Sequence, residues 1–535
     1  MTPIANSREF SLLPLAEGPG MRAAVYALSA GAVVVTLLTA CATAPDFKRP
    51  DPPHAERYTA EPLRIESAVN GDDLAQRMVA GEPLSRDWWR MFRSAALDDV
   101  VRRALEGNRT LAAAASTLSQ AQELAAAQAG MLAPQAGMTG GVGRQKLGAQ
   151  SSAAPTTPFT YFSVGATVSY ALDFAGGLAR SVEQQYALAE YQRRQLEAAQ
   201  LVVTGSAIMQ ALTIASLRAQ ISTVEAILQR DRENLRLVRE AFAAGSVSQL
   251  DIVTAQSQLA ADGTLLPPLR QDLSRARHAL AIVTGQPPAN AALPDFDLSE
   301  LTLPRQLPVS LPSELAHRRP DIMAAEAQLH AATAAVGIAT ANLYPQINLT
   351  ASAGLQAGSP GRLFDRGSMV FGLASALTAP IFNGGTLRAE QRAALDAMNA
   401  SAANYEQTVL AAFGQVADSL QALDHGAEQL AAQKLAQDAA SDNVELARMS
   451  YQEGNTGVLQ VLDAERLYQQ ARLGFVRAEA QRYMDTVQLF LALGGAGPEV
   501  SGQSGSNAHI MRIGGIHESR LQPDGSQAAR QPDPE

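Results

Sequence analysis

The chain of 535 residues has a single cysteine, Cys41, and its neighbours assign it a chemistry. Residues 23–40 are uncharged and apolar, follow Arg22, and end in Leu38-Thr39-Ala40-Cys41. A positive residue, an apolar stretch and a small-residue cut site make a secretory signal. Small residues before a cysteine make a lipobox. At such a motif the thiol is expected to take a diacylglycerol and the signal to be cut, and the lipoprotein rule then implies acylation of the freed Cys41 amine. Two hydrophobic signals anchor stably where one acyl chain is marginal. Ala42 follows, not the aspartate that tends to retain lipoproteins in the inner membrane, so outer-membrane sorting is expected. The alternative, a single transmembrane anchor, is disfavoured by the short run and its lipobox ending. Residues 1–20 carry Glu9, Glu17 and prolines, unlike a signal n-region. Met21-Arg22 opens a more typical one, and translation is expected to start there.

No other pattern resembles a reactive centre. The histidines at 54, 278, 317, 330, 425, 509 and 517 are scattered, with no His-x-x-Glu-His. There is no nucleophile elbow, phosphate-binding loop or dinucleotide fingerprint. One cysteine allows no disulfide within a chain. The net charge of −10 disfavours a duplex nucleic-acid partner. An enzyme is not expected, nor a cofactor or a metal site. A lipid-anchored secreted enzyme, the rival from another class, would need the clustered acid–base or nucleophilic site that is missing.

Composition then points to elongated elements. Hydrophobic residues are 47%, much of them alanine, while aromatics are only 5%. Alanine favours helix and close backbone approach; few aromatics argue against one large compact core. The chain also repeats itself. Phe242-Ala243-Ala244-Gly245…Leu250 resembles Tyr451-Gln452-Glu453-Gly454…Leu459 at an offset of 209 residues, which also maps Ala255 to Ala464 and Gly285 to Gly494. Phe174-Ala175-Gly176-Gly177 matches Phe382-Asn383-Gly384-Gly385, and Pro134 matches Pro345, at nearly the same offset. Each unit reads as an alanine-rich helix (about 96–132 and 313–343), two strands, a very long helix, a glycine turn and a shorter helix. The long helices, about Leu178–Ala244 and Thr386–Glu453, contain no proline. Each would span on the order of 100 Å, a length that suits coiled-coil or tubular packing.

The strands alternate with period two. Phe162, Val164, Ala166, Val168, Tyr170, Leu172 and Phe174 interleave with Ser163, Gly165, Thr167, Ser169 and Asp173. Ile347, Leu349, Ala351, Ala353 and Leu355 repeat the pattern, Met369, Phe371, Leu373 and Leu377 continue it, and Ala136, Met138 and Val142 show a weaker version. Such alternation suits either a barrel wall between lipid and water or a half-buried sheet. The outer-membrane address favours the wall. Four strands cannot close a membrane barrel, whose usual minimum is about eight, and open edges are not tolerated in lipid. Spanning strands therefore require the chain to oligomerise.

Over roughly residues 38–495 the sequence resembles the TolC-like outer-membrane efflux proteins, in the NodT-type lipoprotein branch. The motifs are Pro45-Asp46-Phe47-Lys48-Arg49-Pro50, Trp88-Trp89-Arg90-Met91-Phe92, Asn108-Arg109-Thr110-Leu111, Arg318-Arg319-Pro320-Asp321-Ile322, Ala341-Asn342-Leu343-Tyr344-Pro345, Pro380-Ile381-Phe382-Asn383-Gly384-Gly385 and Val461-Leu462-Asp463-Ala464. Most read as structural: Pro320 and Asp321 start a helix, and Trp88, Trp89 and Phe92 are packing anchors. The resemblance implies an α+β membrane protein of duplicated helix-strand-strand-helix units. As a homotrimer these form an outer-membrane β-barrel continued by a long periplasmic α-helical barrel. The expected division is a signal peptide 1–40, a lipidated linker 41–95, a first repeat 96–285 (strands about 135–148 and 160–174), an equatorial linker 286–312, a second repeat 313–495 (strands about 346–356 and 368–380), and a polar tail 496–535 that reads as disordered. Expected partners are a periplasmic adaptor, an inner-membrane pump of the resistance-nodulation-division class and outer-membrane lipid. The expected function is a passive exit duct for drugs or other small molecules. A type I protein-secretion duct and a structural periplasmic coiled-coil lipoprotein are the alternatives; the last would not need two pairs of alternating strands.

By the same resemblance the turns Gly245-Ser246-Val247-Ser248 and Gly454-Asn455-Thr456-Gly457 form the periplasmic tip. Gly245, Ser246, Ser248, Leu250, Gly454, Asn455 and Thr456 would dock the adaptor. Leu459 and Asp463 would narrow the closed entrance, three Asp463 carboxylates forming a ring that favours cations. Some relatives carry a second aspartate where this chain has Gln460, which implies a less acidic gate. Asp251 would hold the tip shut through contacts with a neighbouring helix. The plain alternative is solvated acids in helix first turns, beside ordinary polar turns.

Overall fold

The computed structural model describes residues 45–495 except 54, 56, 61–65, 68–74, 83 and 147–156. Cys41, the signal and the tail from 496 lie outside the described residues. The elements run β1 (Glu66–Ser67), β2 (Gln76–Ala80), a 3-10 turn (Trp88–Phe92), α1 (Ala95–Gly107), α2 (Arg109–Gly130), β3 (Gln135–Gln145), β4 (Phe159–Leu172), α3 (Gly177–Ala243), α4 (Gln249–Gly263) and α5 (Leu266–Val283). Then come β5 (Gln306–Val309), α6 (Pro312–Leu315), α7 (Pro320–Ala341), β6 (Gln346–Ala357), β7 (Met369–Thr378), α8 (Thr386–Gln452) and α9 (Val458–Ala492). The order helix, two strands, 67-residue helix, return helix therefore occurs twice.

The structure departs from the simple pattern in three places, each for a local reason. The first alanine-rich helix is two helices, because Asn108 leaves helical geometry and caps α2. Its side chain accepts from the Thr110 and Leu111 amides at 2.9 and 3.2 Å, while its amide donates to the Val283 carbonyl at 2.9 Å. The first return helix breaks at Thr264 and Leu265, just before Pro267 and Pro268, which lack the N–H that continuity needs. Its counterpart α9 runs unbroken for 35 residues. The linker also carries a strand with no signal in the sequence reading. β5 pairs in parallel with β2, which pairs antiparallel with β1, giving a small three-stranded sheet.

The second sheet has the order β3-β4-β6-β7, all antiparallel. Its register sets Met138 opposite Ala166, Ala166 opposite Ala353, and Ala353 opposite Phe371. The same register joins Val142 to Phe162, and Tyr170 through Leu349 to Ser375. Side chains alternate faces along a strand, so all four apolar series share one face. That face is uncovered in the protomer: Met138, Phe371 and Leu373 are 80%, 79% and 81% exposed. Among the described residues, the outer edges of β3 and β7 have no partner strand.

The main core lies where α3, α8 and α9 cross the α1 region and the linker. α1 buries Leu97, Val100, Val101 and Ala104 completely, at the i, i+3, i+4, i+7 spacing of one helix face. Trp88 packs edge-on to Phe490 at 5.3 Å, and Phe92 lies against Tyr483, so the aromatic motif is an anchor for the helix bundle. Each large apolar side chain buried this way contributes roughly 1.5–3 kcal/mol. α3 and α7 hold stretches apolar enough to cross a membrane, but about half of each is covered by this packing. The residues that follow the lipobox motif are also strapped down. Asp46 pairs with Arg180 at 2.5 Å, Phe47 stacks on His330 at 4.3 Å, and Arg49 pairs with Glu326 at 2.7 Å.

Candidate functional site at the helix tips

Both long helices end in the same way. At the end of α3, Gly245 takes φ +76°, its amide donates to Phe242 O, and the Ser246 amide donates to Ala241 O. At the end of α8, Gly454 takes φ +77°, with Gly454 N to Tyr451 O and Asn455 N to Ser450 O. This pair of bonds satisfies the last carbonyls of a helix and needs a left-handed residue, which is why glycine stands there. Duplication thus reaches the hydrogen bonds of the turns.

The turns are fastened to each other by a small apolar cluster. Leu235 and Val238 of α3 and Ile252 and Ala255 of α4 are its buried members, and Val247, Leu259, Val458 and Leu462 pack against them. Leu250 and Leu459 point away from it and are exposed. Asp251 sits in a capping box: its carboxylate accepts from the Ser248 amide at 2.7 Å and from the Ser248 hydroxyl at 2.8 Å. The Ser248 hydroxyl and amide hold its acid below the usual carboxylate range. Within the protomer its contacts are thus to its own turn. Asp463 Oδ1 accepts from Arg466 Nη2 at 2.7 Å, so the expected gate acid carries its own counter-charge. Gln460 follows Gly457 in the first turn of α9.

A polar layer lies one to two turns higher and was not singled out in the sequence. Glu465, 2% exposed, accepts from Asn234 of α3 at 2.5 Å and from Arg448 Nε of α8 at 3.1 Å. Gln469 of α9 donates to the buried Asp231 of α3 at 3.2 Å. These bonds tie the two hairpins α3/α4 and α8/α9 together. Two contacts at the tip had sequence signals: Ser248-x-x-Asp251 is a capping-box spacing, and Asp463 to Arg466 is one helical turn. The Asn234–Glu465 and Asp231–Gln469 bonds had none, because their partners are more than 200 residues apart.

Residues 100–286 and 311–495 each match the outer membrane efflux protein model, the two units of the repeat. The chain belongs to the outer membrane efflux protein family. It is 33% identical over 446 residues, 81% of this chain and 93% of that protein, to the pyoverdine export outer membrane protein OpmQ of Pseudomonas aeruginosa. Among solved structures it resembles the outer-membrane channel OprN, with TM-score 0.76 and 27% identity, over 85% of this chain and 99% of that one. It also resembles the open state of the Neisseria gonorrhoeae MtrE outer-membrane channel, with TM-score 0.74 and 26% identity, over 85% of this chain and 98% of that one. The efflux protein is thus an outer-membrane channel component of an efflux system, extending into the periplasm. The role of its family is that of a channel, which agrees with the lack of a catalytic motif in the sequence.

Proposed function

We propose that three copies of the chain assemble into a lipid-anchored exit duct, opened at the tips by an adaptor and a pump. The observation that carries this is the four-stranded sheet with one apolar face and two free edges. Backbone edges are not tolerated in hydrocarbon. Pairing β7 of each copy with β3 of the next closes twelve strands with the Met138, Phe371 and Leu373 face outward to lipid. Cys41 lies five residues before Asp46, and the strap made by Asp46, Phe47 and Arg49 along α3 and α7 fixes where its lipid enters the membrane.

The duct narrows at the tips, where Leu459, Gln460 and Asp463 face the entrance. Asp251 supports it by capping α4. Gly245, Ser246, Ser248, Leu250, Gly454, Asn455 and Thr456 offer the docking surface for a periplasmic adaptor. Its pump is of the resistance-nodulation-division class. Small-molecule cargo fits the similarity to OpmQ, a pyoverdine export outer membrane protein. Single-channel recording in lipid bilayers tests the gate: Leu459→Ala and Asp463→Ala should each raise conductance, and unchanged conductance in both would remove the assignment. Chemical crosslinking and heat-modifiable migration in outer-membrane fractions test the trimer; a monomer under both would sink it.

A further inference from the structure

Asp231 is the one acid of the polar layer whose carboxylate lacks a cation partner. It is 5% exposed, on the inner side of α3, about 20 Å above Gly245 along the helix axis. Its Oδ1 accepts from Gln469 Nε2 at 3.2 Å. Its Oδ2 is buried and receives no donor hydrogen. The group beside it is the carboxyl of Asp262 on α4, which accepts from Gln258 at 2.7 Å. Two carboxylate oxygens are both acceptors and can bond only with a proton between them. An unsatisfied buried carboxylate is costly, so the pair needs that proton.

The surroundings supply no substitute for it. From α9, Glu465 adds negative charge, and the guanidinium of Arg448 on α8 is already bonded to Glu465. Arg230, next to Asp231 on α3, lies over the Tyr468 ring at 5.6 Å. Arg232 and Glu233 are on the exposed side of α3. Among the described residues no group of three or more metal-ligating side chains occurs, so a proton fits the gap better than a metal ion.

We propose that Asp231 and Asp262 form a proton-operated latch: one shared proton clamps α4 onto α3 and holds the tip closed, and its loss favours opening. The proposal rests on the reading of the tip as the gate. Burial, with the negative charge of Asp262 and Glu465 added, pushes the Asp231 acid up from its ordinary range to about 6. A raised acid favours the packed arrangement below its ordinary pKa of about 4, and that advantage is lost as pH rises through about 6. If opening exposes Asp231 to water, the open-to-closed ratio should rise by up to about a hundredfold from pH 4 to pH 7, tenfold per unit of pKa difference. The tip would then seal when the periplasm turns acid.

The test uses the full-length lipidated protein in planar bilayers, with open probability recorded from pH 4.5 to 7.5, and infrared spectra of the same preparations. The wild type should open as pH rises, with a midpoint near 6. Asp231→Asn, which mimics the protonated acid, should stay closed throughout. Asp262→Asn removes the neighbouring charge and should move the midpoint to lower pH. A protonated-carboxyl band titrating near pH 6 should be present in the wild type and absent in Asp231→Asn. Absence of that band from the wild type would overturn the shared proton. A band that behaves as expected, while Asp231→Asn keeps the wild-type opening profile, would overturn the latch. In that case Leu459→Ala separates the causes: a rise in its conductance leaves the gate reading standing, and no rise removes that reading too. A midpoint displaced by added calcium ions at fixed buffer would overturn the proton in favour of a cation.

Discussion

Asp463 and Arg466 face each other at 2.7 Å, one turn apart on α9. As an exposed i, i+3 pair it adds at most about 0.5 kcal/mol to stability, so its weight lies in the charge at the entrance. On the proposed placement of Asp463 and Gln460 at the entrance, that entrance would be near neutral rather than an acid ring. Replacing Arg466 by Gln should leave thermal stability unchanged and raise the preference for cations over anions, read as a shifted reversal potential under a salt gradient. An unchanged reversal potential would show that Asp463 does not face the ion path.

Gly285 and Gly245 have the same φ of +76° but different surroundings. A Cβ on Gly285 would lie 2.1 Å from the Gly107 carbonyl oxygen, whereas one on Gly245 meets nothing within 4 Å. Gly245→Ala therefore carries only the left-handed penalty of about 1–2 kcal/mol. Gly285→Ala adds a backbone clash where α5 meets the α1–α2 break, and should lose several-fold more assembled protein in outer-membrane fractions. Equal losses for the two would contradict the close approach.

Asn108 both caps α2 and holds α5. Asn108→Ala should cost roughly 2–3 kcal/mol, about 1 from the cap and the remainder from an unsatisfied Val283 carbonyl. Asn108→Asp keeps the acceptor and loses the donor, so its melting temperature should fall between those of the wild type and Asn108→Ala. A melting temperature for Asn108→Asp equal to that of the wild type would show that the bond to Val283 is idle.

Leu373 and Thr350 lie on opposite faces of the second sheet. An arginine at the lipid face near mid-membrane costs about 2–4 kcal/mol per copy, whereas the other face is watered. Leu373→Arg should reduce the heat-resistant outer-membrane form strongly, and Thr350→Arg little. The reverse order would mean that the sheet is turned the other way in the membrane.

Asp251 and Asp231 should respond to acid with opposite signs. The Asp251 acid is held low by Ser248, so its cap is intact above its ordinary pKa and is lost as pH falls through the lowered value. Amide exchange in residues 249–252, corrected for intrinsic rates, should therefore quicken at low pH while the α3–α4 contact around Asp231 and Asp262 tightens. Asp251→Ala should show the quickened exchange at every pH.

The duplication, the two 67-residue helices, the glycine turns and the alternating strands are all written in local periods, and they are visible in the chain because period and punctuation need no partner. The capping box of Ser248 and the Asp463–Arg466 pair are equally local. Other features belong to the tertiary structure alone. β1, β2 and β5 are two, five and four residues long, too short for a period to declare itself, and the pairing of β2 with β5 joins segments more than 200 residues apart. The sharing of one apolar face by four strands depends on register, which a slip of one residue would reverse. The meeting of Asp231, Asp262 and Gln469 depends on how three helices are rotated about their axes. That rotation is set by the burial of many apolar side chains together, and no spacing within any one helix encodes it.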